Sequence, residues 1–392
     1  MLNFELYTPT KIVFGKNTEL QVGELIKDYN AKKVLVHYGG ESAKRSGLLD
    51  KIYDSLAASQ IEYVTLGGVV PNPRLSKVNE GLELCKQESV DFILAVGGGS
   101  VIDSAKSIGY GIACGGDVWD FYSRTREITG CLPIGCVLTI AAAGSEMSNS
   151  AVLTNEDGWL KRGALKSDFG RPRFAVLNPE LTYSLPQYQT ASGCVDILMH
   201  TMERYFNNST MELTDHLSEA LMRTVIMNSK ILVNQPNNYR ARAEIMWAGS
   251  LSHNGLLSCG TDGGDWASHQ IEHELGGMFD VAHGAGLAAI WGSWARYVYK
   301  ENIERFAQFA ANVFDIPCGS NLEDAALAGI EAVEHFYRLI DMPTTLSELG
   351  VHPTDEQIDT LAFNCTFKNT RTVGIIKKLN SDDVANIYTM AK

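Results

Sequence analysis

Asp91-Phe92-Ile93-Leu94-Ala95-Val96-Gly97-Gly98-Gly99-Ser100-Val101-Ile102-Asp103-Ser104-Ala105-Lys106-Ser107 decides the fold. The run from Phe92 to Val96 is wholly apolar and too short for a helix, as a strand buried on both faces of a parallel sheet requires. The glycines that follow permit positive φ and leave no Cβ between the backbone and a ligand. The residues after them read as a helix, whose free N–H groups and positive dipole end suit an anion. Ser100 either caps that helix or donates to a phosphate oxygen. The spacing matches neither G-x-G-x-x-G nor a Walker loop, so no motif names the ligand. The place does point to one, because open parallel sheets bind ligands at the carboxyl ends of their strands.

Outward from this stretch, strands and helices alternate. Lys33–Tyr38, Ile61–Leu66, Leu132–Leu138 and Phe174–Leu177 read as strands, and Leu48–Ala58 and Leu75–Gln87 as helices. That alternation predicts a doubly wound parallel sheet. After Leu185-Pro186 the periodicity is helical, over Gln187–Phe206, Leu213–Leu232, Tyr239–Ser252 and Leu322–Ile340. The expected organisation is an α/β domain over residues 1–184 and an all-helical domain over 185–392, with a ligand cleft between them.

Composition is that of a globular chain: 392 residues, 45% hydrophobic and 20% charged. Thirty-three basic against 46 acidic side chains leave −13, which opposes binding to nucleic acid or an anionic membrane. No apolar run reaches the roughly 18 residues of a membrane helix, and the first residues do not read as a signal peptide. The eight cysteines include no C-x-x-C pair, so they read as reduced thiols of a cytoplasmic protein.

A second loop, Gly39-Gly40-Glu41-Ser42-Ala43-Lys44-Arg45, follows an early strand. An acidic residue at such a tip selects the free ribose 2′-hydroxyl of NAD, whereas serine and basic residues suit the 2′-phosphate of NADP. Ser42, Lys44 and Arg45 favour NADP(H) over NAD(H); Glu41 opposes that preference.

Nine histidines occur, and His253, His269, His273 and His283 fall in one segment. Asp196 and His200, four apart on a helix, can chelate one ion. His269 and His273 are also one turn apart, and Gly276-Gly277 should end their helix. One aspartate with three imidazoles is a mixed donor set for divalent iron or zinc. Spacing leaves open whether His269 or His273 joins Asp196, His200 and His283. A rival is His269-Gln270-Ile271-Glu272-His273, which fits the H-x-x-E-H helix of zinc peptidases but leaves the glycine loop and Asp196 without a role.

Taken together these motifs resemble the iron-containing (group III) alcohol dehydrogenases, and among them the branch of NADPH-dependent butanol dehydrogenases and aldehyde reductases. The resemblance spans nearly the whole chain: Lys11–Gly15, Val70-Pro71-Asn72-Pro73, Gly97–Asp103, Ala143-Gly144-Ser145-Glu146, Asp196–Glu203, Gly264–His269, His273-Glu274-Leu275 and His283-Gly284. It implies a dinucleotide-binding α/β domain followed by an all-α domain, the dehydroquinate synthase-like architecture. It implies metal ligation by Asp196, His200, His269 and His283, with His273 beside the nicotinamide and substrate as the catalytic candidate. Cofactor contacts are implied for Gly39, Gly40, Ser42, Gly97, Gly98, Gly99, Ser100, Asp103, Thr139, Asn149 and Lys161. The implied activity is reversible hydride transfer between NADP(H) and a primary alcohol or aldehyde such as butanol or butanal, with Fe2+ (or Zn2+) bound, in a homodimer joined through N-terminal edge strands over Phe4–Phe14. A metal-dependent synthase or lyase on the same fold is the alternative. Glu41 stands where relatives usually have glycine, Ala143 where many have threonine, and Asn178-Pro179 where Asp-Pro usually precedes the metal helix.

Overall fold

The computed structural model describes residues 1–164 and 166–392. They form two compact units, Tyr7–Leu185 and Pro186–Lys392, the latter including Met1–Leu6. In the first unit the strands are β1 (Lys11–Phe14), β2 (Lys33–Tyr38), β3 (Glu62–Leu66), β4 (Phe92–Gly97), β5 (Ile134–Leu138), β6 (Val152–Asn155), β7 (Leu160–Gly163) and β8 (Phe174–Leu177). Its helices are α1 (Val22–Lys27), α2 (Ser42–Arg45), α3 (Leu48–Ala58), α4 (Leu75–Glu88), α5 (Gly99–Cys114) and α6 (Trp119–Tyr122). Among the described residues the main sheet is six-stranded, ordered β1-β8-β5-β4-β2-β3, and every pairing in it is parallel. β4 lies inside the sheet, and all its residues are buried, which is why its sequence is apolar without alternation.

Differences from the sequence expectation have local causes. The strand expected from Leu132 starts at Ile134; Pro133 has no N–H, and its carbonyl accepts from the Ile93 amide before the ladder begins. Of Phe4–Phe14 only Lys11–Phe14 is a strand, the part that β8 flanks. The β6–β7 hairpin was not anticipated. Its turn begins at Asn155, whose side chain accepts from the Asp157 amide, a turn signal carried by Asn-Glu-Asp-Gly.

His37, on β2, is fully buried. Its Nδ1–H donates to the Leu66 carbonyl, so Nε2 accepts from the Ser104 hydroxyl, each at 2.9 Å. Burial pulls its pKa down to about 4. The folded chain thus keeps His37 neutral where an unfolded histidine, with a pKa of about 6.5, takes a proton. The stability this neutral form contributes is complete above pH ~6.5 and falls as pH drops toward 4, by about 3 kcal/mol in all. Between pH 7 and 5, thermal unfolding of His37→Gln is expected to fall less than that of the parent chain; equal losses would contradict this assignment.

The second unit is helical: α7 (Gln187–Tyr205), α8 (Glu212–Asn234), α9 (Tyr239–Ser252), α10 (Ala267–Phe279), α11 (His283–Val298), α12 (Ile303–Phe314), α13 (Leu322–Leu339), α14 (Asp355–Cys365) and α15 (Ser381–Ala391). Gly276-Gly277 does not end its helix. Both glycines are buried within α10, which runs on to Phe279 and closes at Asp280 in the left-handed region, with the Asp280 amide on the Gly276 carbonyl. Among the described residues no helix is long and apolar enough to cross a membrane.

Candidate functional site

Asp196, His200 and Glu203 form one stripe of α7, at i, i+4 and i+7, and all three are buried. α10 comes close to this stripe because of the residues that precede it. Gly264 has φ +93, and a Cβ there would lie 2.2 Å from the Glu203 carbonyl, so only glycine lets the chain pass. The Asp265 amide then donates to that carbonyl at 2.8 Å, and the Asp265 carboxylate caps the Ala267 amide at 3.0 Å. α11 starts at His283 and meets α7 in a similar way. A Cβ on Gly284 would lie 2.0 Å from the Ser192 carbonyl, and one on Gly286 would lie 2.9 Å from Glu272 Cγ.

These approaches gather the donors. Asp196 Oδ1 lies 3.2 Å from His200 Nδ1, 3.7 Å from His269 Nε2 and 3.8 Å from His283 Nε2. Asp196, His200 and His269 form one group of donor atoms, all within 4.8 Å of each other; His283 falls in a second such group with Glu272 and His273. Asp196 Oδ1, His200 Nδ1 and His269 Nε2 are buried without a hydrogen-bond partner among the described residues. Orphaned buried lone pairs are costly, and here they converge. A tetrahedral ion with bonds of about 2.1 Å sets its donors about 3.4 Å apart, close to these spacings. The oxygen and nitrogen donors therefore fit a divalent iron or zinc ion.

The other ring nitrogens of His269 and His283 are engaged. His269 Nδ1 pairs with Glu203 Oε2, while the His269 amide donates to Glu203 Oε1 at 3.0 Å. His283 Nδ1 pairs with Glu272 Oε2. Burial disfavours a proton on His269, but Glu203 and Asp196 outweigh it and lift its pKa to about 9, so a cation binding at Nε2 would displace a proton and take up that lone pair. Burial, reinforced by His269 and Arg204, holds His200 well below the ordinary value. The ring of His253 meets that of His200 edge-on at 4.1 Å. His273 is half-buried, its ring 6.3 Å from that of His269 and 5.7 Å from that of His283. The H-x-x-E-H reading fails here: Glu272 is fully buried and tied to His283, so it cannot serve as base to a water.

The sequence singles out His253 within the histidine cluster and Glu272 within H-x-x-E-H, but not their contacts with His200 and His283. The pairing of Glu203 with His269 is not read from sequence either, although its place seven residues after Asp196 puts it on the same helix face.

In the first unit the glycine triplet joins β4 to α5, with Gly98 as the helix cap. The fold itself demands part of the triplet. A Cβ on Gly97 would lie 2.4 Å from Val101 Cγ2, and one on Gly99 would lie 2.9 Å from Ala143 Cβ. Ser100 occupies the first turn of α5. Thr139 joins the loop, donating its amide to the Gly97 carbonyl at 3.0 Å. Gly39 and Gly40 follow β2, whose Tyr38 pairs with Val96 of β4. A Cβ on Gly40 would meet nothing within 4 Å, so no internal packing requires a glycine there. Ser42 starts α2, and Glu41 pairs with Lys44 at 3.2 Å.

Asp103 is engaged inside the fold: Oδ1 accepts from the Ser145 hydroxyl at 2.5 Å and Oδ2 from the Val152 amide at 2.9 Å. Fully buried Lys106 donates to the carbonyls of Ser145, Ser148 and Ser150 at 2.8, 3.1 and 2.8 Å. These two side chains pin the loop after β5 onto α5. Asn149 sits in that loop and donates to Asp168 at 3.2 Å, and buried Lys161 lies on β7.

Residues 9–179 match the family described as iron-containing alcohol dehydrogenase, and residues 190–392 match the Fe-containing alcohol dehydrogenase family, C-terminal. The chain is 40% identical to the probable NADH-dependent butanol dehydrogenase 1 of Bacillus subtilis (strain 168), covering 99% of each. It is 35% identical to the NADPH-dependent aldehyde reductase YqhD of Escherichia coli (strain K12), covering 90% of each. The crystal structure of an NADH-dependent butanol dehydrogenase A from Thermotoga maritima superposes with a TM-score of 0.96 at 39% identity, covering 99% of this chain and 98% of that one. With both units matched and the fold shared end to end, the chain belongs to the iron-containing alcohol dehydrogenase family and is an oxidoreductase.

Proposed function

We propose that the enzyme transfers hydride reversibly between a nicotinamide dinucleotide and a small primary alcohol or aldehyde, of which butanol and butanal are the pair to assay first. The observation that carries this reading is the convergence of the Asp196, His200 and His269 lone pairs, orphaned and buried, in a chain of this family. Asp196, His200, His269 and His283 would hold the metal, ferrous iron by family and zinc by donor chemistry. Bound there, it would supply Lewis-acid stabilisation of negative charge on the substrate oxygen. Oxidation yields aldehyde, reduced nucleotide and one proton. His273 is the group we assign to that proton, moved at an imidazole nitrogen. The triplet loop and Ser100 offer the N–H groups of α5 to the pyrophosphate, with Gly39, Gly40, Ser42 and Thr139 beside it. Asp103, Asn149 and Lys161 complete the proposed cofactor set, Asp103 by shaping the loop.

For the nucleotide, Ser42, Lys44 and Arg45 support NADP(H). The Glu41–Lys44 pair, which occupies one of those cations, and the NADH-dependent description of the Bacillus subtilis relative support NAD(H) as the second reading. Free thiols at all eight cysteines support a reducing cytoplasm. Exposed Phe4, Tyr7 and Phe14, with β1 at the sheet edge, support a homodimer of twice the 42.9 kDa chain, to be read by light scattering.

Protein purified anaerobically with ferrous iron is expected to oxidise NADPH or NADH when butanal is added, and a chelated control is not. Failure with both nucleotides and several aldehydes would reject the activity.

A further inference from the structure

Glu203 and Glu272 repeat one arrangement on successive helices. Glu203 of α7 grips His269 of α10 through Nδ1, and Glu272 of α10 grips His283 of α11 through Nδ1. Both carboxylates are fully buried. A neutral imidazole carries one N–H; where Nδ1–H is held by a carboxylate, the lone pair is left on Nε2. Both Nε2 atoms lie near one oxygen, Asp196 Oδ1, at 3.7 and 3.8 Å. Glu203 also accepts the His269 amide, so it fixes the backbone of that ligand as well as its ring. Gly286 leaves the space that Glu272 fills.

We propose that Glu203 and Glu272 are positioning residues that aim His269 and His283 at a shared centre, and that their buried charges set how tightly the centre holds a divalent cation. The inference rests on the metal reading above. Partner carboxylates of this kind typically govern metal affinity by about 10–100-fold.

The test uses the full chain, Zn2+ as probe and a chromophoric chelator as competitor. Glu203→Gln and Glu272→Gln keep size and an acceptor oxygen but remove the charge. Each is expected to weaken zinc by about 10–100-fold while NADH binding, read by fluorescence, is unchanged. Gly286→Ala leaves both carboxylates in place and crowds Glu272; it is expected to weaken zinc too, and it serves if a Gln variant does not fold. In the Co2+-loaded protein the visible bands should shift in both Gln variants, which a merely structural role would not cause. Folded variants with zinc affinity within twofold of the parent and unshifted bands would overturn the proposal. If the parent and His269→Ala alike bind no zinc, the metal reading itself falls.

Discussion

His269→Ala is expected to lose its metal and, with it, all turnover, whereas His273→Ala keeps a full complement of metal and loses rate. The two histidines stand one turn apart on α10, so a general loss of helix stability would affect both. Their surroundings differ. His269 is buried with Nε2 orphaned toward Asp196. His273 is only half-buried and lies outside the group that Asp196, His200 and His269 form. Removing a proton-transfer group costs about 10²–10⁴-fold in rate, and that is the expected fall in kcat for His273→Ala. Metal content by elemental analysis, measured beside kcat, separates the two. Metal lost from His273→Ala and kept by His269→Ala would invert the assignment.

The second large effect is expected in the glycine triplet. Gly99→Val puts a Cβ 2.9 Å from that of Ala143 and a bulky side chain at the first residue of α5, where the pyrophosphate is proposed to bind. Charge-assisted hydrogen bonds to a pyrophosphate are worth about 1.5–3 kcal/mol each, so loss of one weakens the nucleotide about 10–100-fold. The same substitution crowds the fold, and the double variant Gly99→Val with Ala143→Gly separates the two effects by returning the space. Nucleotide affinity should stay low in the double variant, with zinc affinity at the parent's value. Recovery of nucleotide binding would mean that Gly99 serves packing alone.

The strand–loop–helix unit was legible because burial of β4 on both faces leaves a continuous apolar run that stops at the glycines. A helix with a clear apolar stripe, Leu48–Ala58, appears with the bounds its periodicity predicts, and Tyr239–Ser252 appears with its expected bounds as well. Asp196 and His200 were legible as a pair because a helix sets their spacing. Spacing alone leaves His269 and His273 open, because both satisfy the same i, i+4 rule; the structure groups the more buried of them, His269, with Asp196 and His200. The pairings of Glu203 and Glu272 were hidden for a further reason. Their partners are imidazoles on the next helix, and the contact exists only because Gly264, Gly284 and Gly286 let three helices close on one another. In the fold those glycines are clearances, a role that nothing in the local sequence announces.

Crystals grown anaerobically with ferrous iron, and an anomalous difference map collected at the iron edge, test the shared centre most directly. The account predicts one strong peak within about 2.0–2.3 Å of donor atoms from Asp196, His200, His269 and His283. A peak centred instead among Glu272, His273 and His283, or iron bound elsewhere with Asp196 and His200 turned apart, would contradict it.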